Sequence, residues 1–96
     1  MKLEESRKKI DAIDTEILIL LNRRAEVSKE IGVLKLGAGL PIVDNGREDD
    51  IIRRIAREND GTMQDKTVVE IYRAILSESR RIQEETSITV EKGAYQ

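Results

Sequence analysis

The sequence predicts an all-α fold of three helices, and three observations point to it. Apolar residues recur at alternating spacings of three and four along most of the 96-residue chain, which is the period of an amphipathic helix. Charged residues make up 38% of the chain and aromatic residues 2%, which favours helices with paired surface charges over a β-sandwich. The turn signals LGAGLP at 36–41 and NDG at 59–61 divide the chain into one long, one short and one medium helix.

The long first helix is predicted from about Leu3 to Leu36. Its main apolar stripe is predicted to be buried and consists of Ile10, Ile13, Ile17, Leu20, Val27, Ile31 and Leu34. Arg24 occupies the place in this stripe where another apolar side chain is expected. A second stripe beside it consists of Leu18, Leu21, Ala25, Ser28, Gly32 and Lys35. The apolar face is therefore wide enough to pack against more than one neighbour.

Two further helices follow the turn signals. Asp44 is a good N-cap for a helix predicted from about Asn45 to about Glu58. The apolar residues of that helix are Ile51, Ile52, Ile55 and Ala56. The third helix carries Val68, Val69, Tyr72, Ile75, Leu76 and Ile82 on one face. Its pattern ends after Glu85, so we expect a helical domain over 1–85 and a C-terminal tail or linker over 86–96.

Composition excludes several classes of function. The net charge is −2 without a basic face, which argues against a nucleic-acid partner. Cysteine and histidine are both absent, so disulfides, thiol nucleophiles, histidine bases and the usual zinc ligands are excluded together. No apolar run approaches the ~20 residues of a membrane span, and we expect a soluble, cytoplasmic protein.

Two cations in the first helix are candidate ligand contacts. Alone, Arg24 is more often a structural ion pair, and Lys35 can simply favour the negative end of the helix dipole. Lys35 lies about 20° around the helix from Arg24 and roughly 16 Å along it, however. Two long side chains at that separation can converge on a small anion.

The other two helices add polar residues to the same interior. Asp44, Arg47 and Glu48 continue the apolar stripe of helix two towards its N-terminus, although a cap with a local salt bridge also explains them. Ser79 and Gln83 are four residues apart on the buried side of helix three, where backbone or water usually satisfies such groups. Together these residues predict a pocket for a small polyanion with hydroxyl groups.

Arg7 cannot reach that pocket from its own chain, because it lies about 25 Å along the helix from Arg24. By itself it reads as a solvated arginine. An antiparallel dimer of such long helices would nevertheless bring the Arg7 of one chain near the Arg24 of the other. A 96-residue chain is near the size at which a single core is only just adequate, so a partner chain would also help stability.

Three segments carry a resemblance to a known family. They are RKKIDAIDTEILILLNRRAEVSKEIGVLK at 7–35, PIVDNGRE at 41–48 and SESRRIQ at 77–83. In this order and spacing the chain resembles the all-helical class of chorismate mutases, over about Glu4 to Glu85. The resemblance implies an intertwined helical homodimer that converts chorismate to prephenate in aromatic amino-acid biosynthesis, with no metal or redox cofactor.

The family's functional positions match eight residues here. They are Arg7, Arg24, Lys35, Asp44, Arg47, Glu48, Ser79 and Gln83. The resemblance implies that Arg24 and the partner's Arg7 hold the substrate carboxylates, with Ser79 assisting and Arg47 ordering them. It implies that Lys35 and Gln83 donate to the ether oxygen, and that Glu48 and Asp44 hold the ring hydroxyl. Lys35, Gln83 and Arg24 are thus the expected catalytic residues, although Gly46 could loosen the turn that carries Asp44 and Glu48.

Two alternatives stay open at this point. An isochorismate pyruvate lyase with the same helical plan would use a similar cationic pocket. The chain could also be a non-catalytic, ligand-sensing module of a larger shikimate-pathway enzyme, an idea that the unpatterned tail from Thr86 to Gln96 keeps open.

Overall fold

The computed structural model describes residues 1–93 and contains three helices in that range. They are α1 (Lys2–Ala38), α2 (Asn45–Glu58) and α3 (Asp65–Gly93). The predicted all-α architecture is confirmed, as are the bounds of the second helix. None of the described helices is both long enough and apolar enough to cross a membrane.

The connection between α1 and α2 has a defined stop and a defined start. Gly39 ends α1 in the left-handed region, with φ of 67°, a conformation that glycine adopts without steric cost. The N–H of Leu40 donates to the carbonyl of Lys35 at 2.9 Å and closes the last turn. Asp44 caps α2 as predicted, because its carboxylate accepts from the N–H of Arg47 at 3.0 Å. The connection thus has a defined geometry at both ends, and it contacts α1 where Lys35 donates to the carbonyl of Ile42.

The helix α3 packs along the C-terminal half of α1, and the contact uses the second stripe of α1. Ser28 and Gly32 are buried there, while Ala25 and Lys35 are half-buried. The main apolar stripe, predicted to be buried, is exposed in the single chain: Ile10 is 57% exposed and Leu34 70%. The two stripes lie on different sides of α1, and α3 covers the side with the small residues Ser28 and Gly32. The larger apolar side chains are left for another surface.

The apolar core lies between α2 and α3, away from α1. Ile51, Ile55 and Leu76 form it, and Ile52, Val68 and Tyr72 pack against it half-buried. All six belong to the ten apolar residues that helical spacing had predicted for the two helices, so the prediction is confirmed for these six. The core is small and leaves the space above it, towards the N-terminal turn of α2, for polar side chains.

The prediction that the third helix ends near Glu85 is wrong, because α3 continues to Gly93. Residues 86–90 read TSITV, and the β-branched side chains in that run lower intrinsic helix propensity. Packing overrides this preference. Thr86 and Val90 are half-buried and line, with Ile82, a groove that reaches Lys29 of α1. The remaining part of the predicted tail, 94–96, lies outside the described residues.

Gly32 provides a stability test of the α1–α3 contact. A Cβ atom at this position would lie 3.0 Å from the carbonyl oxygen of Gln83 and 3.1 Å from its Cα atom. Because both are backbone atoms, the helices must separate to accept a methyl group. We expect Gly32→Ala to lower the free energy of unfolding by about 1–3 kcal/mol, as measured by urea unfolding with circular dichroism.

The matched control is Gly37→Ala in the same helix, where an added Cβ meets nothing within 4 Å. Alanine has the better helix propensity, so this variant should keep the stability of the parent or gain up to about 1 kcal/mol. Equal stability of the two variants would contradict the importance of the close approach.

Candidate active site

A cavity of about 350 Å³ lies where α1, α2, α3 and the connection from α1 to α2 meet. Its volume is within the range of small-molecule sites, about 300–1,000 Å³. Seven of the eight predicted site residues line it: Arg24, Lys35, Asp44, Arg47, Glu48, Ser79 and Gln83. The floor of the cavity is apolar, with Val27, Ile31, Ile51 and Leu76. Three helices therefore supply polar groups to one partly apolar space, as predicted.

At one end of the cavity, Arg24 and Ser28 of α1 meet Ser79 of α3. The guanidinium of Arg24 donates to the Ser79 hydroxyl oxygen in a short hydrogen bond. Ser28 donates to the same oxygen at 3.2 Å and is 3% exposed. Arg24 is half-buried and keeps its other N–H groups available, since the guanidinium carries five donors. This end of the cavity can therefore bind a carboxylate.

At the other end, Lys35 lies between the connection and α3. Its ammonium donates to the carbonyl of Ile42 at 2.6 Å and to Oε1 of Gln83 at 2.9 Å. An ammonium has three N–H donors, so one is left for a ligand. Because the amide oxygen of Gln83 accepts from Lys35, the amide nitrogen is left as a donor as well. A cationic donor, the ammonium of Lys35, and a neutral donor, the amide of Gln83, thus lie side by side in the wall of the cavity.

The first turn of α2 forms a third wall. Glu48 is half-buried and pairs with Arg80 of α3 through a short ion pair. Asp44 and Arg47 are exposed at the rim, joined by the N-cap hydrogen bond. Arg80 therefore links α2 to α3 beside the cavity, and it holds one oxygen of Glu48 while the other can accept from a ligand hydroxyl.

The neighbouring Arg81 has a different environment from Arg80. It is exposed, outside the cavity, and pairs with Glu78 and Glu85 of the same helix. The pKa of its guanidinium is raised above the ordinary value, chiefly by the hydrogen bond to Glu78 and the charge of that carboxylate. Of the two adjacent arginines, only Arg80 borders the cavity.

The electrostatics of the cavity favour an anion. Four cationic side chains and two carboxylates line it, which leaves two net positive charges. Within residues 1–93, none of Arg24, Lys35 and Arg47 forms a salt bridge with a carboxylate. A structural ion pair is thereby excluded for Arg24 within the described chain. A ligand with two negative charges would match the charge of the cavity.

Arg7 lies elsewhere, as predicted. It belongs to the exposed N-terminal half of α1 and does not line the cavity of its own chain. Seventeen residues of helix separate it from Arg24, which corresponds to about 25 Å.

Two polar residues of the cavity, Ser28 and Arg80, were not among the predicted site residues. Ser28 could have been noticed as the hydroxyl one turn after Arg24 in the second stripe. Arg80 lies within the segment SESRRIQ, but the sequence contains no signal that distinguishes it from Arg81. The carbonyl of Ile42 could not have been found, because a backbone acceptor leaves no trace in the sequence.

The chemistry open to these groups is binding and hydrogen-bond donation. Among the described residues, no cluster of carboxylates has the arrangement of a metal site. Arg24, Lys35, Ser79 and Gln83 supply charged and neutral donors, and Glu48 supplies an acceptor. The fold and the cavity therefore define a class, a three-helix protein with a donor-rich cavity of net positive charge.

Comparison with known proteins identifies the family. The family model described as chorismate mutase type II matches residues 6–84. The match covers most of the chain, so this chain belongs to the type II chorismate mutase family. The resemblance inferred from the three sequence segments is confirmed.

Individual relatives agree with this assignment. The chorismate mutase of Methanocaldococcus jannaschii is 32% identical over 87 residues, which cover 88% of this chain and 86% of that protein. The bifunctional chorismate mutase/prephenate dehydratase of Aquifex aeolicus is 46% identical over 80 residues, which cover 79% of this chain. This chain spans about a fifth of the length of that relative, 22%.

A solved structure has the same fold. The chorismate mutase of Thermus thermophilus, in the structure called form II, superposes with a TM-score of 0.85 at 32% sequence identity. The superposition covers 88% of this chain and 96% of the other.

Proposed function

We propose that this chain is a chorismate mutase, an isomerase that rearranges chorismate to prephenate in aromatic amino-acid biosynthesis. The observation that carries the proposal is the cavity in which three cations have no carboxylate partner among the described residues. Chorismate is a dicarboxylate with one ring hydroxyl and an enolpyruvyl ether, and the cavity supplies a group for each. A cytoplasmic location belongs to the same proposal.

The reaction requires only groups of the kind that the cavity contains. One carbon–oxygen bond of the ether breaks while one carbon–carbon bond forms, and no proton or electron is exchanged with the protein. No nucleophile is required, which suits a chain without cysteine or histidine. The enzyme must hold the flexible substrate in its compact reactive conformer and stabilise the charge that develops on the ether oxygen.

The Arg24 end of the cavity serves orientation. The guanidinium can hold a carboxylate through two parallel hydrogen bonds, and the Ser79 hydroxyl can donate a third. Arg47, which lines the cavity at its rim, would assist the second carboxylate. Binding energy from both carboxylates fixes the substrate in place before it reacts, so the entropic cost of reaching the transition state is smaller.

The Lys35 end serves the breaking bond. Lys35 and Gln83 are joined by a hydrogen bond of 2.9 Å, so their free donors can reach one ether oxygen together. Negative charge on this oxygen is larger in the transition state than in the substrate, and donors fixed in advance lower the barrier. Glu48, oriented by Arg80, would accept from the ring hydroxyl, with Asp44 nearby at the N-cap.

The proposal includes a homodimer that shares its sites. The N-terminal half of α1 has an exposed apolar stripe, and nothing within residues 1–93 covers it. A second α1 in antiparallel orientation would cover the stripe and bring the partner's Arg7 to the cavity. The site then has a further cation for the second carboxylate. Each long helix contributes residues to two sites, one in its own chain and one in the partner.

The activity assay tests the proposal directly. We expect purified protein to consume chorismate and form prephenate, and we expect Arg24→Ala and Lys35→Ala to lower kcat/KM by about 10²–10³-fold or more. The exposed variant Arg81→Ala is the control and should retain the rate of the parent. Isochorismate incubated in parallel should release no pyruvate. Absence of turnover by the parent would contradict the proposed enzymatic activity. Full activity of the two variants would contradict the roles assigned to Arg24 and Lys35.

The amide of Gln83 predicts a distinct pH dependence. The protein contains no histidine, the side chain whose ordinary pKa lies between about pH 5 and pH 8, and an amide does not ionise, so the parent rate should be nearly constant there. In Gln83→Glu, only the protonated acid can donate to the ether oxygen, and a carboxyl group with an ordinary pKa of about 4.3 is ionised at neutral pH. We expect this variant to lose about 10²–10³-fold in kcat at pH 7 and to recover as the pH falls.

The measurement is kcat at several pH values, with circular dichroism at each value to verify that both proteins are folded. A parent rate that falls steeply over the same range, or a variant rate that rises with pH, is the result that excludes donation from position 83.

Mixing inactive variants tests the shared site. A heterodimer of Arg7→Ala and Arg24→Ala chains contains one complete site and one doubly altered site. After the two are unfolded together and refolded at equal concentrations, about a quarter of the parent activity should return. The control mixture combines Arg24→Ala with Lys35→Ala. Because both groups come from the same chain, every site stays defective and no activity should return. Equal behaviour of the two mixtures rules out a site built from two chains.

A further inference from the structure

We propose that Ser28 is a positioning residue for substrate binding, which forces the hydroxyl of Ser79 to act as a donor towards a ligand carboxylate. The inference rests on the proposed function of the cavity and assigns a role to a residue outside the eight predicted ones. Its basis is the number of hydrogen bonds that the Ser79 oxygen accepts, together with the burial of Ser28.

A serine hydroxyl has two lone pairs and one proton. The oxygen of Ser79 accepts from the Arg24 guanidinium and, at 3.2 Å, from the Ser28 hydroxyl. The Ser28 hydroxyl makes no other hydrogen bond within residues 1–93, so we assign it as the donor of the pair, and both lone pairs of Ser79 are then used by groups of α1. The hydroxyl proton of Ser79 donates to no acceptor within residues 1–93, and Ser79 lines the cavity. The proton is left for a ligand.

Serine and threonine in helices usually place this proton elsewhere. The usual acceptor is the carbonyl four residues earlier in the same helix. Thr15 follows the rule and donates to the carbonyl of Asp11 at 3.1 Å. Ser79 does not, because two donors from α1 hold its oxygen towards α1. Without Ser28, the Ser79 hydroxyl would have an accessible alternative in the carbonyl of Ile75.

The burial of Ser28 separates this role from an ordinary surface serine. Ser28 is 3% exposed, which is less than any residue of the apolar core. Alanine would fill nearly the same volume in that space, so packing alone does not call for a hydroxyl. Two accepted hydrogen bonds, one of them from a cation, also polarise the Ser79 hydroxyl and strengthen it as a donor.

The test compares Ser28→Ala, Ser79→Ala and the double variant by kcat and KM for chorismate. The carboxylate is bound in the substrate and in the transition state alike, so the loss should appear in KM. We expect Ser28→Ala to raise KM by about 3–10-fold and to change kcat by less than about twofold. The double variant should have the KM of Ser79→Ala alone, because Ser28 acts through Ser79. Ser77→Ala, on the exposed face of α3, is the control and should match the parent.

Unfolding in urea measures the stability of each variant, and titration calorimetry measures ligand binding without turnover. A KM for Ser28→Ala equal to that of the parent overturns the inference, as do multiplicative effects in the double variant or an effect confined to kcat. Calorimetric titration with a bicyclic dicarboxylate shaped like the rearranging substrate gives the same comparison as a ratio of Kd values, without turnover. A parent that binds this ligand but does not convert chorismate would contradict the proposed function only. A parent that does neither would contradict both.

Discussion

The close approach of α1 and α3 at Gly32 is the contact on which the candidate site depends. The backbone of Gln83 occupies the place where a side chain on α1 would otherwise lie. Ser28 and Gly32 are one turn apart on α1, and Ser79 and Gln83 are one turn apart on α3, so the two helices meet in register. The same contact brings Ser79 to Arg24 and Gln83 to Lys35. The donors of the site are thus positioned by the packing of two helices, which is more rigid than positioning by loops.

This arrangement fills the α1–α3 contact with polar groups and limits the apolar core. Of the most buried side chains, Ser28, Ser79 and Gln83 are polar and are satisfied by hydrogen bonds, as burial requires. The apolar core is confined to the α2–α3 contact. Meanwhile the larger apolar side chains of α1 remain exposed in the single chain. A chain that uses its inner contact for a binding site needs another surface for hydrophobic stabilisation, and the stripe on α1 is available for it.

Periodicity and capping signals were sufficient to predict the number of helices, their order and the bounds of α2. Asp44 as an N-cap and Gly39 as a left-handed stop depend on local chemistry, so the sequence around them determines the outcome. Seven cavity residues could also be predicted, because a polar residue at an apolar position of a helix is visible in the pattern. What could not be predicted depends on tertiary contact. Which stripe of α1 meets α3, which of Arg80 and Arg81 reaches the cavity, and how far α3 continues past Glu85 are all decided by packing.

The charges of the site follow from the kind of acceptor that holds each cation. Arg81 pairs with two carboxylates, so its charge is compensated within its own helix. Arg24 and Lys35 are instead held by neutral acceptors, namely a hydroxyl, a backbone carbonyl and an amide oxygen. Neutral acceptors fix the position of a cation but do not neutralise it. The full charge therefore remains for the ligand, and little reorganisation is needed when the ligand binds. On the proposed function, a protein without histidine or cysteine lowers a reaction barrier in this way, through position and charge alone.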